Sequence, residues 1–146
     1  LTKIKPAEVR FYFDADVLGL GKAVARLRAD VTYPGDPGGV VHKRGRPPCI
    51  ITDPETDDDI WIPAVAAEGW LIITRDRRIQ ERRAEIAAVR DNGARMVSLS
   101  GSEAIGTWAQ LEVLMTRWRS IEALLEHPAP LIRSATRSGL AKVKLD

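Results

Sequence analysis

The chain has 146 residues, of which 45% are hydrophobic and 29% charged, with a net charge of +2. These are the proportions of a single domain that can bury one core. No apolar run approaches the roughly 20 residues that cross a bilayer, the first nine residues have Lys3 and Lys5 but no apolar segment behind them, and Cys49 is the single cysteine, so the sequence predicts no membrane span, no secretory signal, no intrachain disulfide and a reducing, cytoplasmic setting.

Val9 to Phe13 is rich in β-branched and aromatic residues and stops at Asp14, which predicts a buried strand whose carboxyl end carries the acids Asp14 and Asp16. Val17, Leu20, Val24 and Leu27 recur at helical spacing and predict an amphipathic helix to Ala29. A short second strand, Val31 to Tyr33, runs into Pro34-Gly35-Asp36-Pro37-Gly38-Gly39 and a long polar, basic loop through His42, Lys43, Arg44 and Arg46 to Pro47-Pro48. The apolar piece Cys49 to Ile51 then gives way to the acidic stretch Asp53 to Asp59.

A helix is predicted over Ile60 to Glu68, closed by Gly69, with Pro63 confining regular helix to about one turn before it. Trp70 to Thr74 is a continuous apolar run of strand length and delivers Asp76 just beyond its end, as the first strand delivers Asp14. A further helix from Arg77 to Asp91, a strand from Arg95 to Leu99, and a long helix from Ser102 and Glu103 to about Glu126 follow, the last ended by Pro128 and Pro130. Residues 131–145 read as a β-hairpin about Ser138-Gly139 or as a partner-binding arm. Alternation of strands and helices predicts an α/β fold, a mostly parallel central sheet flanked by helices on both faces. Trp61, Trp70, Trp108 and Trp118 are mostly expected in the core.

In such a sheet, ligands sit outside the carboxyl ends of the strands, where Asp14 and Asp76 both emerge. Carboxylates that converge there repel unless a cation neutralises them, and the hard, oxygen-seeking ion for that role is Mg²⁺ or Mn²⁺. Such an ion lowers the pKa of a bound water, a nucleophile for phosphodiesters. The cations at Arg75, Arg77 and Arg78, and at Lys43 and Arg44, suit a nucleic-acid backbone.

Phe11-Tyr12-Phe13-Asp14-Ala15-Asp16, the helix entry Asp58-Asp59-Ile60-Trp61, and Trp70 to Asp76 resemble the acidic motifs of PIN-like domains, best known as the VapC-type toxins of bacterial toxin-antitoxin pairs. The resemblance covers about Val9 to Leu99. It implies a parallel sheet between helices and metal-dependent cleavage of RNA by clustered acids. Carried over, Asp14 is the first-strand acid, Asp58 or Asp59 the acid of the middle helix, with Asp58 preferred because it stands three residues before Trp61, and Asp76 the late acid. Metal ligands would come from Asp14, Asp58, Asp76 and Asp16, with Asp59 beside them and Thr74 as an orienting hydroxyl. The basic loop replaces a helical pair that other members have, and Asp36 is the candidate there for a further carboxylate. Residues 1–127 would form the nuclease domain and 128–146 a tail or hairpin packed on it or on a partner. The resemblance further implies an RNA substrate, a small antitoxin protein and a homodimer.

Two other activities fit some of these residues. Asp14-Ala15-Asp16-Val17-Leu18 also matches the nucleophile motif of haloacid-dehalogenase-like phosphohydrolases, with Asp14 phosphorylated and Asp16 the general acid. A carboxylate pocket could also bind metal or nucleic acid without turnover. Structural roles compete as well: Asp14 as a helix cap, Thr56 with Asp59 as a capping box over a helix dipole, and Arg77, Arg78, Arg82 and Arg83 as a solvated face paired with Glu81 and Glu85.

Overall fold

Phe11, Tyr12 and Phe13 are all buried and alternate between two hydrophobic clusters on opposite faces of a central sheet, as successive strand residues must. The structure, a computed structural model, describes residues 3–75, 79–100 and 105–146. Among these, the strands are β1 (Lys5–Pro6), β2 (Phe11–Phe13), β3 (Val31–Thr32), β4 (Gly39–Val41), β5 (Arg44–Arg46), β6 (Leu71–Arg75), β7 (Arg95–Leu99), β8 (Leu131–Thr136) and β9 (Gly139–Lys142). The helices are α1 (Leu18–Ala25), α2 (Asp58–Ala67), α3 (Ile79–Asn92) and α4 (Thr107–Ala123).

The main sheet has the order β3-β2-β6-β7-β8-β9, parallel from β3 to β8, with β9 antiparallel to β8. One face buries Phe11, Phe13, Ile73 and Val97 under Leu20 and Val24 of α1 and Val113, Leu114 and Ile121 of α4. The other buries Tyr12, Ile72, Met96 and Ile132 under Trp61, Ile62 and Val65 of α2 and Val89 of α3. The expected α/β sandwich is therefore present, with α1 and α4 on one side and α2 and α3 on the other. From β2 the chain moves out to the edge strand β3 and then returns past β2 to β6, so the winding direction reverses between β2 and β6. That reversal opens a crevice at the carboxyl ends of these two strands.

The helical entry of α4 is described from Thr107, with Gly106 as its N-cap; the Ser102 and Glu103 start predicted for it lies outside the described residues. Pro63 sits inside α2 without ending it, five residues past the helix start at Asp58, and leaves the Asp59 carbonyl without its helical N–H partner. The C-terminal hairpin forms, and β8 pairs with β7 from Arg95↔Leu131 to Leu99↔Ala135, inside the main sheet.

Two expectations are corrected. The long basic loop contains a hairpin, β4 against β5, which pairs in parallel with β1 to make a separate three-stranded sheet. Gly38, at φ +83, makes this possible: a Cβ there would lie 2.4 Å from the Arg46 carbonyl oxygen, so only glycine lets the two backbones approach. Trp108 is 84% exposed, since it lies one residue into α4 on the side that no strand covers. Leu27 and Met115, on α1's C-terminal side and on α4, are also exposed. A hollow of about 300 Å³ there is lined by Val24, Leu27, Leu111, Leu114, Met115 and Trp118, together with Arg28 and Arg119.

Candidate active site

Tyr12 and Ile72 face α2, and the side chains two residues further on, Asp14 and Thr74, continue toward the same side at the carboxyl end of the sheet. Asp14 is buried and is the N-cap of a 3-10 turn over Ala15–Val17; its Oδ1 accepts the Ala15 N–H at 2.7 Å. The capping role proposed as the structural alternative is thus real, and it occupies one oxygen. The other, Oδ2, lies 3.3 Å from the Thr74 hydroxyl. That hydroxyl is also 3.0 and 2.8 Å from the two carboxylate oxygens of the more exposed Asp16, and Asp16 Oδ2 further accepts the Arg75 N–H at 3.3 Å.

Thr74 is fully buried and has one hydroxyl proton. Three carboxylate oxygens stand within hydrogen-bond reach of it, so it can serve only one at a time. Two carboxylates held this close favour a cation between them, and an all-oxygen donor set suits Mg²⁺ or Mn²⁺. On that chemistry the residues present fit the ion. Among the described residues, no group of three or more His, Cys, Asp and Glu side chains lies together. The described part of the site is the pair Asp14 and Asp16 joined by Thr74, and Asp76 lies outside the described residues, as do Arg77 and Arg78.

Asp58 opens α2 and is half-buried. Its Oδ1 accepts the indole N–H of Trp61 at 2.8 Å, one turn along the helix. The N-cap is Asp57, which makes no side-chain capping bond, and Thr56 donates instead to the Asp53 carbonyl at 2.6 Å. The Thr56 and Asp59 capping box is therefore not formed. Asp59 is exposed and borders, with Asp57 and Asp58, a hollow against Ala84 and Ala88 of α3.

Tyr12 links the two groups of acids. Burial pushes its phenol far above the ordinary tyrosine range, and the charges of Asp14, Cys49, Asp58 and Asp16 push it further in the same direction. Asp14, Asp58 and Asp16, three of the predicted site acids, thus raise the same phenol. Tyr12 also packs against Trp61, with ring centroids 5.1 Å apart. Sequence reasoning placed Trp61 in the core and missed its second role; the three-residue spacing from Asp58 was the available signal.

Arg75 is exposed at the end of β6, and its side chain donates to the Ile105 carbonyl at 3.3 Å. Lys43 and Arg44 are not brought to the acids. Arg44 borders Pro6, Ala7, Glu8, Ala29 and Asp30, the segments that lead into the amino ends of β2 and β3, so both cations lie toward the sheet edge opposite Asp14. Asp36 is also committed elsewhere. It is buried with Arg46, whose Nε donates to Oδ2 at 2.6 Å, and it accepts the Thr32 hydroxyl and the Gly38 N–H at 2.9 Å each. It serves as the anchor of the β4–β5 hairpin, which removes it as a further site carboxylate.

A family model described as a PIN-like domain matches residues 10–101. The chain belongs to the PIN-like domain family. The matched segment includes β2, α2 and β6 with Asp14, Asp16, Asp58 and Thr74, and also the Asp14 to Leu18 stretch on which the phosphohydrolase alternative rested. No curated protein and no solved structure matches the chain at a significant level. PIN-like domains are generally nucleases, and this chain has their parallel sheet with acids at the carboxyl edge. Among the described residues, no helix is long and apolar enough to cross a membrane.

Proposed function

We propose that this PIN-like protein is a divalent-metal-dependent endoribonuclease that hydrolyses RNA phosphodiester bonds. The observation that carries this reading is the Asp14, Asp16 and Thr74 group at the crevice between β2 and β6. Mg²⁺ or Mn²⁺, when bound, supplies a water of lowered pKa at neutral pH. Asp14 and Asp16 would hold the ion, with Asp58 and Asp76 completing the acidic rim and Asp59 beside them. The single Thr74 hydroxyl proton orients one of the Asp14 and Asp16 carboxylates at a time, and Trp61 orients Asp58. Arg75, Arg77 and Arg78, next to the late acid in sequence, would hold the RNA backbone by charge and paired hydrogen bonds.

The finer reading is a VapC-type toxin acting in the cytoplasm, inhibited by a small antitoxin and working as a homodimer. The apolar hollow between α1 and α4, with Leu27 and Met115 exposed beside it, supports a protein partner on that face. The nuclease test is cleavage of a labelled single-stranded RNA with Mg²⁺ or Mn²⁺, with and without chelator, by the native chain and by Asp14→Asn. Metal-dependent cleavage that Asp14→Asn abolishes is the expected result. The toxin test is growth arrest on expression of the native chain, absent with Asp14→Asn.

A further inference from the structure

We propose that the small sheet of β1, β4 and β5 is a second RNA-backbone site, which holds the substrate on the side of the molecule away from the carboxylates. The inference rests on the nuclease reading and extends it to how the substrate is held. Five cationic or titratable side chains are gathered there: Lys3, Lys5, His42, Lys43 and Arg44, all exposed. None of them forms an ion pair among the described residues. Asp30 is held by Arg10 and Arg28, Asp36 by Arg46, and Glu8 stands exposed at the rim of the hollow that Arg44 borders.

The hairpin turn itself is the second observation. His42 and Lys43 adopt φ of 50 and 63, the left-handed region in which glycine and asparagine are at ease and other side chains are strained. A turn made only to reverse the chain would use those residues. Here His42 and Lys43 occupy the strained positions, both exposed to solvent, and strain of this kind is held where a surface has work to do. The platform beneath is rigid: Lys5↔Arg44 and Pro6↔Gly45 pair in parallel, and the buried Arg46 bonds both Asp36 and the Ala25 carbonyl at the end of α1. Cations on a fixed scaffold lose little freedom when they meet a phosphate chain.

Pro6 and Asp14 are eight positions apart in sequence, so their Cα atoms are at most about 28 Å apart. An RNA of some tens of nucleotides can touch both; a tetranucleotide, which offers about three internucleotide phosphates, is the short control. Binding is best measured on the Asp14→Asn protein, which leaves the RNA intact, by fluorescence anisotropy with a 30-nucleotide single strand and with a tetranucleotide. Lys43→Ala with Arg44→Ala is expected to weaken binding of the long RNA about tenfold at low salt. It should also flatten the slope of log K against log salt by about 1.4, from about 0.7 per lost contact on a single strand, with tetranucleotide binding unchanged. Lys5→Ala, which leaves the turn intact, should flatten the slope by about half as much. An unchanged slope and affinity for the long RNA in both variants would overturn the proposal, even if the native chain cleaves RNA. Binding of polyglutamate in preference to RNA, lost in the double variant, would overturn it in favour of an acidic protein partner. The nuclease reading fails separately, on absence of cleavage by the native chain.

Discussion

Trp61 donates its indole N–H to Oδ1 of Asp58 across 2.8 Å, and with this single bond α2 fixes the carboxylate at its own entry. The ring beneath is buried and lies against Tyr12, so the donor cannot swing away without opening the core. A first-turn acid is thereby tied to a buried ring, and its charge, with those of Asp14 and Asp16, raises the Tyr12 phenol.

Trp61→Phe keeps an aromatic ring and deletes the donor. Cleavage is expected to fall about 10- to 100-fold, the usual scale for losing a residue that orients a metal-site acid. Stability should drop by only about 1–2 kcal/mol for the smaller ring, as read by denaturant melts beside the kinetics.

Within the middle cluster, Asp58→Asn should lose both Mn²⁺ affinity and cleavage, and Asp59→Asn should retain them, since Asp58 is half-buried and held by Trp61 while Asp59 is exposed. Titration calorimetry with Mn²⁺ decides between the two. The reverse pattern would move the role to Asp59.

Thr74→Val preserves shape in a fully buried position and removes the hydroxyl shared by Asp14 and Asp16. Weaker Mn²⁺ binding is expected, with KM for RNA nearly constant and kcat reduced. A merely structural Thr74 would lower the melting temperature and leave kcat alone.

The Asp30 carboxyl gives a pH prediction. Burial alone would raise its pKa, but hydrogen bonds from Arg28 and Arg10 outweigh burial and hold it below the ordinary value. A carboxyl lowered in the folded state stabilises the fold above the unfolded-state pKa and loses that contribution as pH falls through the folded one. Asp30→Asn should therefore destabilise the protein at pH 7, by about 1–2 kcal/mol for charge-assisted bonds that are partly exposed. The difference from native should shrink below about pH 4, which melts recorded from pH 7 to 3 would show.

Much of this was legible in the residues. Phe11 to Phe13 and Leu71 to Thr74 are apolar on both faces, and that pattern announces strands covered by helices on each side. Because each of these strands delivers an acid at its end, Asp14 and Asp76 could be assigned to one edge before any fold was seen; Asp14 lies there, and Asp76 lies outside the described residues. The β4–β5 hairpin was not legible: its strands are three residues each, and Gly and Pro on either side read as loop. Its hold on the domain comes from Asp36 and Arg46, ten residues apart, a pairing that no local pattern announces. Trp108 misled for a related reason, since helical spacing marks a stripe but not whether the helix is covered along its whole length.

The two margins of the main sheet are blunt. β3 offers two residues before Tyr33 and Pro34, and proline has no N–H to extend a ladder; β9 offers four, ending at Lys142 with Lys144 exposed just beyond. A sheet finished this way gives an incoming strand little to zip onto. Copies of this protein that meet in solution are therefore steered from strand exchange and fibre-like stacking toward contact through helices, a mode that can dissociate without unfolding either molecule.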